Sequence, residues 1–213
     1  MSLRYAILGF LTIRPLSGYD IKRFFNASVR HFWSADQAAI YRTLAELEAD
    51  ALVGHERVQQ QTRPDRKEYH ITPLGVEAFD AWVATPAPAV VRREPLLLKL
   101  FFASRLSRDD LASVLTAEIT AVDAEMAAFK EIVASIENDA AEVARQAPNS
   151  EAAAAHAALL VGPLITLTNG VQLGVAYRAW MRGLLRAHED GALTADALLA
   201  DLHRCIDEPA CGD

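Results

Sequence analysis

Three side chains that hydrogen-bond readily to nucleic acid lie close together in one short segment: Gln37, Tyr41 and Arg42. Glutamine pairs with adenine and arginine with guanine through two hydrogen bonds each, and a tyrosine hydroxyl reaches phosphate oxygens. Ile40 and Leu44 repeat at helical spacing in the same segment. In a helix these two apolar residues face the core, so the three polar side chains face largely away from it. The segment therefore indicates a helix face that reads a DNA duplex.

A second group of polar residues, here cationic, surrounds a predicted turn: Arg63, Arg66 and Lys67. Pro64 occupies the second position of that turn, as a type I turn favours. Long cationic side chains at such a tip follow phosphates or enter a narrow minor groove. Basic turns are also common on solvated surfaces, and Gln37 also fits a capping box that begins at Ser34. Residue types alone leave both interpretations open.

The elements that position these groups are indicated by apolar spacing and by helix end signals. Leu3, Ile7 and Leu11 lie on one face of a first helix. Ser17, followed by an acid three residues later, starts a second helix. The segment from Ser34 onward, which carries the three polar side chains, forms the third.

The pattern then changes from helical to extended. Tyr69 and Ile71 alternate with polar residues, as in a half-buried strand. Residues 52–60 and 67–72 are both short and lack helical periodicity. Together they predict a β-hairpin with the basic turn at its tip. Thr72 and Pro73 supply a cap and a first position for a fourth helix. The predicted buried side of that helix consists of Leu74, Ala78, Phe79 and Trp82.

Three helices, a hairpin and a helix are the order of a winged helix-turn-helix domain, in which the later helix of the motif enters the major groove. We therefore predict a DNA-binding domain over residues 1–85. A proline-rich stretch without periodicity, residues 86–95, follows as a linker. Residues 96–213 are helical in pattern. The expected fold class is mainly α, an N-terminal winged helix-turn-helix domain plus an all-helical C-terminal domain.

The longest helix of the C-terminal region carries an apolar seam whose members alternate in steps of four and three. Such a seam pairs either across a dimer or within one chain, and the sequence leaves the two alternatives open. The dimerisation seam consists of Leu115, Ile119, Val122, Met126, Phe129, Val133 and Ile136.

The seam helix is acidic, with seven carboxylates and one lysine between Leu115 and Val143. Two such helices side by side repel each other, so we expect basic residues of a later helix beside it. The candidates are Arg178, Arg182 and Arg186. Within that later helix Pro163 cannot donate to the carbonyl of Leu159, which predicts a kink or a break.

Aromatic and polarisable residues in the C-terminal region are candidates for an effector pocket. They are Phe101, Phe102, Tyr177, Trp180 and Met181. Residues of these types at helical spacing also form ordinary hydrophobic cores, so the pocket remains one of two interpretations.

Four separated motifs occur in order: LRYAILGFL at residues 3–11, SGYDI at 17–21, IYRTL at 40–44 and YHITPLG at 69–75. Together they resemble the PadR family of bacterial transcriptional regulators, over residues 3 to about 83. The remainder is similar, more weakly, to the helical C-terminal domain of the longer members. One departure is Ala51, which stands where many relatives have glycine.

The resemblance implies a cytoplasmic, homodimeric repressor that binds an inverted-repeat operator in double-stranded DNA. It also implies release from that operator when a small aromatic or otherwise apolar effector binds. By position, Tyr41 and Arg42 match the recognition-helix motif of the family, and Arg63 and Lys67 match its wing.

Other function classes have less support. The chain has none of the common phosphate-loop, dinucleotide, zinc-protease or serine-hydrolase motifs, and its six histidines are scattered. We therefore predict no catalytic residues, no cofactor, no metal site and, because no apolar segment appears long enough, no membrane span. A net charge of −7 argues against a nucleic-acid binder, but residues 1–85 are neutral, with ten basic and ten acidic side chains. The alternative is a winged-helix protein-interaction module without specific DNA binding.

Overall fold

The computed structural model describes residues 2–30, 32–58, 66–87, 93–146 and 151–207. The chain divides into two compact units, Met1–Val91 and Arg92–Asp213. The first unit consists of α1 (Ser2–Ile13), α2 (Gly18–Ser28), α3 (Gln37–Ala49), β1 (Val53–Val58), β2 (Arg66–Ile71) and α4 (Pro73–Val83). This is the predicted winged helix-turn-helix order. The predicted linker at 86–95 includes residues 88–92, which lie outside the described residues.

The core of the first unit is formed by one face of each of its first three helices together with the hairpin. Its buried members include Ile7, Leu8 and Leu11 of α1, Ile21 and Phe25 of α2, Ile40, Leu44 and Leu47 of α3, and Val53 and Tyr69 of the strands. The apolar spacing predicted most of these correctly. The hairpin is antiparallel, with Val53 opposite Ile71 and Val58 opposite Arg66.

The buried side of α4 differs from the prediction. Leu74 and Trp82 are 52% and 40% exposed, whereas Gly75 is buried. A Cβ at Gly75 would lie 2.1 Å from the carbonyl oxygen of Leu52, so α4 packs here by direct backbone approach. The close approach rotates the expected apolar stripe partly toward solvent. The Trp82 ring nevertheless stacks on Tyr5, with 4.9 Å between ring centroids.

Two of the three predicted helix caps in this unit are present. Ser17 forms a capping box with Asp20, and Thr72 accepts the backbone N–H of Gly75. The cap of α3 is Asp36, whose carboxylate accepts the N–H of Ala39 at 2.7 Å. The prediction that Ser34 starts this helix is therefore wrong. A carboxylate both satisfies a free N–H and interacts favourably with the positive end of the helix dipole, which favours the later start.

The second unit consists of α5 (Pro95–Phe101), a 3₁₀ turn (Ala103–Arg105), α6 (Arg108–Gln146), α7 (Glu151–Glu189) and α8 (Ala195–Asp207). Helices α6 and α7 run antiparallel. The start of α6 therefore lies beside the end of α7, where Arg108 donates to the carbonyl of Glu189. Val122, Met126 and Phe129 of the seam are buried against Leu167 of α7. Over this stretch the seam therefore packs within one chain.

Helix α7 is continuous through Pro163. Of the predicted kink or break, the break is therefore wrong. Leu159 and Pro163 lie on the exposed side of the helix, where the proline ring does not have to fit against a packed neighbour. The helix ends at Glu189, and Gly191 follows it with a φ of +69°. Ala192 and Gly191 donate to the carbonyls of Ala187 and His188, the hydrogen-bond pattern of a Schellman motif.

Helix α7 is also long and apolar enough to cross a membrane, judged by length and composition. An 18-residue window within residues 157–189 has a mean hydropathy of 1.5, and 6% of that window is buried. The expectation that no segment reaches membrane length is therefore wrong for this helix. One side of α7 packs on α6 through Leu167. The apolar residues that remain exposed lie on the other side of the helix.

The reversal between α3 and β1 is built on Ala51, which has a φ of +57°. Leu52 donates to the carbonyl of Leu47 and Ala51 donates to that of Glu48, again a Schellman motif. The left-handed region costs an L-residue with a Cβ about 1–2 kcal/mol. This explains why glycine is the residue expected at position 51.

We expect Ala51→Gly to raise the free energy of unfolding of the first unit by about 1 kcal/mol, because it removes this strain. Urea unfolding followed by Trp33 and Trp82 fluorescence in a Trp180→Phe background measures the change. Ala45→Gly, on the exposed side of α3, serves as the control and should cost about 1 kcal/mol. Equal losses at both positions would contradict the assignment of strain to Ala51.

Candidate nucleic-acid interface

The N-terminal half of α3 presents its polar side chains to solvent. Gln37, Tyr41 and Arg42 are exposed, whereas Ile40 and Leu44 are fully buried. The predicted division of this helix into a core face and a free face is therefore present. Gln37 is the first residue of the helix and does not close a capping box with Ser34, so its amide is available on the free face.

The ring of Tyr41 rests on α2. A Cβ at Gly18, the first residue of α2, would lie 2.5 Å from a ring carbon of Tyr41. The absence of a side chain at Gly18 therefore leaves the space that the ring occupies. Because 45% of Tyr41 remains exposed, the ring is positioned by α2 while its outer part stays accessible. Sequence reasoning missed the role of Gly18, which depends on the distance between two helices.

The turn between α2 and α3 is fixed by a hydrogen bond that the sequence did not predict. The ammonium of Lys22 donates to the carbonyl of Ala35 at 2.6 Å. This carbonyl immediately precedes the Asp36 cap. The bond therefore fixes the start of α3 relative to α2, and with it the direction of the exposed face.

The wing cations that lie within the described residues are engaged with acids of the same unit. Arg66 forms ion pairs with Glu68 and, at 3.9 Å, with Asp20. Lys67 lies 4.0 Å from Glu48. The side chains of Arg66 and Lys67 are 44% and 46% exposed, so a phosphate reaching them would compete with these acids. Arg63, the third predicted wing residue, lies outside the described residues.

Asp20 connects the start of α2 to the wing. The Ser17 hydroxyl donates to its carboxylate at 2.6 Å, and Arg66 lies on the same carboxylate oxygen. These contacts, the Ser17 hydrogen bond first and the Arg66 charge after it, outweigh partial burial and lower the pKa of Asp20. The carboxylate is therefore ionised wherever the protein is folded near neutral pH.

Glu48 connects the C-terminal end of α3 to the wing. Its carboxylate contacts Nδ1 of His55 on β1 at 2.5 Å, in addition to Lys67 on β2. The start of α2 and the end of α3 are thus both held to the hairpin by charged contacts. Arg42 differs, since it is exposed and no carboxylate of the described residues forms an ion pair with it.

The five residues predicted as an effector pocket do not meet at one site, although the rings of Tyr177 and Trp180 contact each other with 5.7 Å between their centroids. Phe101 and Phe102 contact each other edge to face and are 81% and 56% exposed. Met181 is fully buried, and Tyr177 is half-buried against α6. Trp180 alone of the five lines a cavity, whose other walls are mainly aliphatic. The helical phase of α7 explains the difference, because Tyr177 and Met181 face α6 and Trp180 lies on the next side.

The predicted packing of arginines against the acidic helix is confirmed for two of three residues. Arg178 and Arg182 contact Asp123 at 3.4 and 2.7 Å, whereas Arg186 is exposed. Beside them, the Tyr177 hydroxyl donates to Glu118 at 3.0 Å. Burial, and next the carboxylate of Glu118, raise the pKa of Tyr177 to about 12, so the phenol stays protonated.

The described residues contain no group of three or more His, Cys, Asp or Glu side chains that could hold a metal ion.

Comparison with family models identifies both units. Residues 7–81 match the transcriptional regulator PadR-like family, and residues 92–189 match the C-terminal domain of virulence activator alpha. The two matches follow the same division of the chain as the two compact units.

Curated relatives are transcriptional regulators. The negative transcriptional regulator PadR of Bacillus subtilis is 26% identical over 185 residues, which is 86% of this chain and 95% of that protein. A probable transcriptional regulator of Mycobacterium tuberculosis, Rv1176c, is 40% identical over 86 residues, 40% of this chain and 46% of that protein.

Solved structures show the same architecture. The crystal structure of B. subtilis PadR in complex with operator DNA has a TM-score of 0.72 at 26% identity, covering 88% of this chain and 97% of that one. The same Bacillus protein has been solved in complex with p-coumaric acid, with a TM-score of 0.64 at 24% identity, covering 89% and 99%.

We expect Gly18→Ala to weaken DNA binding about tenfold, roughly 1–2 kcal/mol, because its methyl group would displace the Tyr41 ring. Helix stability should be retained, since alanine favours a helix more than glycine. Gly162→Ala is the matched control, because a Cβ there meets nothing within 4 Å. Fluorescence anisotropy with a DNA fragment selected by the wild-type protein measures the effect; unchanged affinity for Gly18→Ala would contradict the proposed seat for Tyr41.

Proposed function

The chain belongs to the PadR-like family of DNA-binding transcriptional regulators, and on that premise we propose that it is a ligand-responsive repressor acting as a cytoplasmic homodimer on an inverted-repeat operator. Each copy contributes one α3 to a major groove and one hairpin to the flanking phosphates. The two-fold symmetry of the operator follows from the symmetry of the dimer.

One observation carries the DNA-binding part of the proposal: Arg42 is exposed on the free face of α3 and forms no ion pair among the described residues. An arginine so placed is ready to bind guanine at two positions of its major-groove edge. Tyr41 beside it suits a phosphate, and Gln37 one turn earlier suits adenine. Arg66 and Lys67 extend the contact to the backbone at the wing.

The outer face of α7 supports the homodimer. No Asp, Glu, Lys or Arg occurs between Glu151 and Arg178. Val161, Ile165 and Val175 are 55%, 65% and 45% exposed on that face. Exposed apolar surface of this extent marks an interaction site, and a second copy offers the same surface in return. The seam residues buried against α7 do not serve this role, so we assign dimerisation to the outer face of α7.

The response to a small effector is supported by the relative from B. subtilis, which has been solved both on operator DNA and with p-coumaric acid. Half-sites read by such dimers lie about one helical turn, roughly 34 Å, apart. A ligand that changes the spacing of the two α3 helices by a few Å therefore lowers the affinity of the dimer for its operator.

Selection of fragments from a random DNA pool by the purified protein tests the whole proposal. An enriched inverted repeat with half-sites one turn apart is the expected result. Absence of any enriched sequence, together with capture of a protein partner by residues 1–85, would favour the interaction-module alternative.

We expect Arg42→Ala to cost about 1–3 kcal/mol of operator binding and to relax the preference at one base pair of each half-site. Arg66→Ala should weaken all sequences alike and reduce the salt dependence by about one ion per copy. Arg204→Ala, an exposed arginine of the second unit, is the control. Affinity titrations at several salt concentrations measure all three; a loss of sequence preference with Arg66→Ala but not with Arg42→Ala would reverse the two roles.

We expect Ile165→Glu to convert the protein to a monomer near 23.3 kDa, because it buries a charge in the proposed interface. Ser135→Glu, on the exposed side of α6, should leave the dimer intact. Sedimentation equilibrium measures the mass. A monomeric wild-type protein that binds lipid vesicles would instead assign the apolar face of α7 to a membrane.

A further inference from the structure

The second unit contains a cavity of about 730 Å³ between α5, the start of α6, the end of α7 and α8. Binding sites for drug-sized molecules occupy roughly 300–1,000 Å³. The cavity therefore has the volume of a small-molecule site, and all of its walls come from one compact unit of one chain.

The cavity is lined almost entirely by aliphatic side chains. Each of the four helices contributes leucines to its walls, among them Leu100 of α5, Leu111 and Leu115 of α6, Leu184 of α7 and Leu198 of α8. Trp180 is the single aromatic residue of the lining. The charged lining residues are Asp201 and Arg204, which form an ion pair with each other at 2.5 Å. Their charges cancel, so the lining offers no net charge to a ligand.

Small residues create the empty volume. Gly183 lines the cavity, and a Cβ added there meets nothing within 4 Å. Ala187 follows one turn later on the same side of α7 and also lines it. A leucine at either position would project into the cavity rather than into packed neighbours.

Helix α8 forms one wall of the cavity but buries none of its own residues. No residue of α8, which is described in full, is buried. Leu198 and Leu202 line the cavity yet remain 41% and 56% exposed. A molecule in the cavity would therefore cover apolar surface of α8 that is now exposed to solvent.

We propose that this cavity binds an uncharged, mainly aliphatic molecule, and that this molecule is the effector of the repressor; the second half rests on the proposed function. The self-compensated ion pair excludes a preference for either charge, and the branched aliphatic walls favour a flexible chain over a flat ring system. Phe101 and Phe102, the most exposed aromatic residues of the unit, do not line the cavity. Val161, Ile165 and Val175 of the outer face of α7 do not line it either, so the cavity and the proposed dimer surface are different features.

The test uses the full chain with Trp33→Phe and Trp82→Phe, which leaves Trp180 as the one remaining tryptophan of three. The probe is 12-bromo-1-dodecanol, whose bromine quenches tryptophan fluorescence on contact. Saturable quenching, reversed by unbrominated 1-dodecanol, is the expected result. Gly183→Leu should weaken it at least tenfold, and Ala134→Leu, on the exposed side of α6 and outside the cavity, should not.

Ala187→Leu is a second cavity-filling variant, for use if Gly183→Leu fails to fold by circular dichroism. Quenching that does not saturate, or that is equal in the filled and control variants, overturns the proposal. Loss of the dimer in Gly183→Leu without probe binding to the parent chain also overturns it and identifies a second copy as the occupant.

Operator binding is measured on the same samples. Saturable binding of 1-dodecanol to a protein that binds no DNA supports the ligand site and contradicts the proposed function. DNA binding without any binding of the probe leaves the proposed function standing and rejects the cavity as its effector site. Release of the operator by 1-dodecanol in Ala134→Leu but not in Gly183→Leu supports both.

Discussion

The reversal of the chain between α3 and β1 is the constraint on which the DNA-reading unit depends. Leu47, on the last turn of α3, and Leu52, just beyond it, are both buried. The chain can bury both only by turning sharply between them, and the left-handed backbone at Ala51 makes that turn. The turn sets where β1 starts, hence where the wing projects relative to α3. The free energy gained by burying two leucines thus offsets the strain of one alanine.

Charged contacts then fix α3 and the hairpin, the two elements proposed to contact DNA, within this frame. Asp20 ties the start of α2 to Arg66 of the wing, and Glu48 ties the end of α3 to His55 and Lys67. The two carboxylates thus position the side chains of Arg66, His55 and Lys67. Within this unit of zero net charge, Arg66 and Lys67 are held by nearby acids, whereas Arg42 is exposed and forms no ion pair among the described residues.

The elements of the first unit were predictable because local signals and burial agreed. Ser17 with Asp20 and Thr72 with Pro73 mark real helix starts, and Ile40 and Leu44 are buried as their spacing indicates. Errors arose where a choice depended on neighbours distant in sequence. Gly75 displaced Leu74 from the interior, and the role of Gly18 under Tyr41 has no signature in the local sequence. Asp36 displaced Ser34 as a cap for a local reason, because its carboxylate also interacts with the helix dipole. In the second unit, spacing identified the seam but not its partner, and residue type suggested an aromatic pocket where the cavity is aliphatic.

The order of the two units along the chain has a kinetic consequence. The buried residues of the first unit's core all belong to residues 7–69, so this unit is complete in sequence before any of residues 92–213 is made. At synthesis rates of about 5–20 residues per second, that leaves on the order of ten seconds in which a folded reader exists without the unit that follows it. A strongly cationic reader would adhere to nucleic acid throughout that interval. A unit with ten basic and ten acidic side chains has little such tendency, so the nascent chain is free to finish synthesis before it first engages DNA.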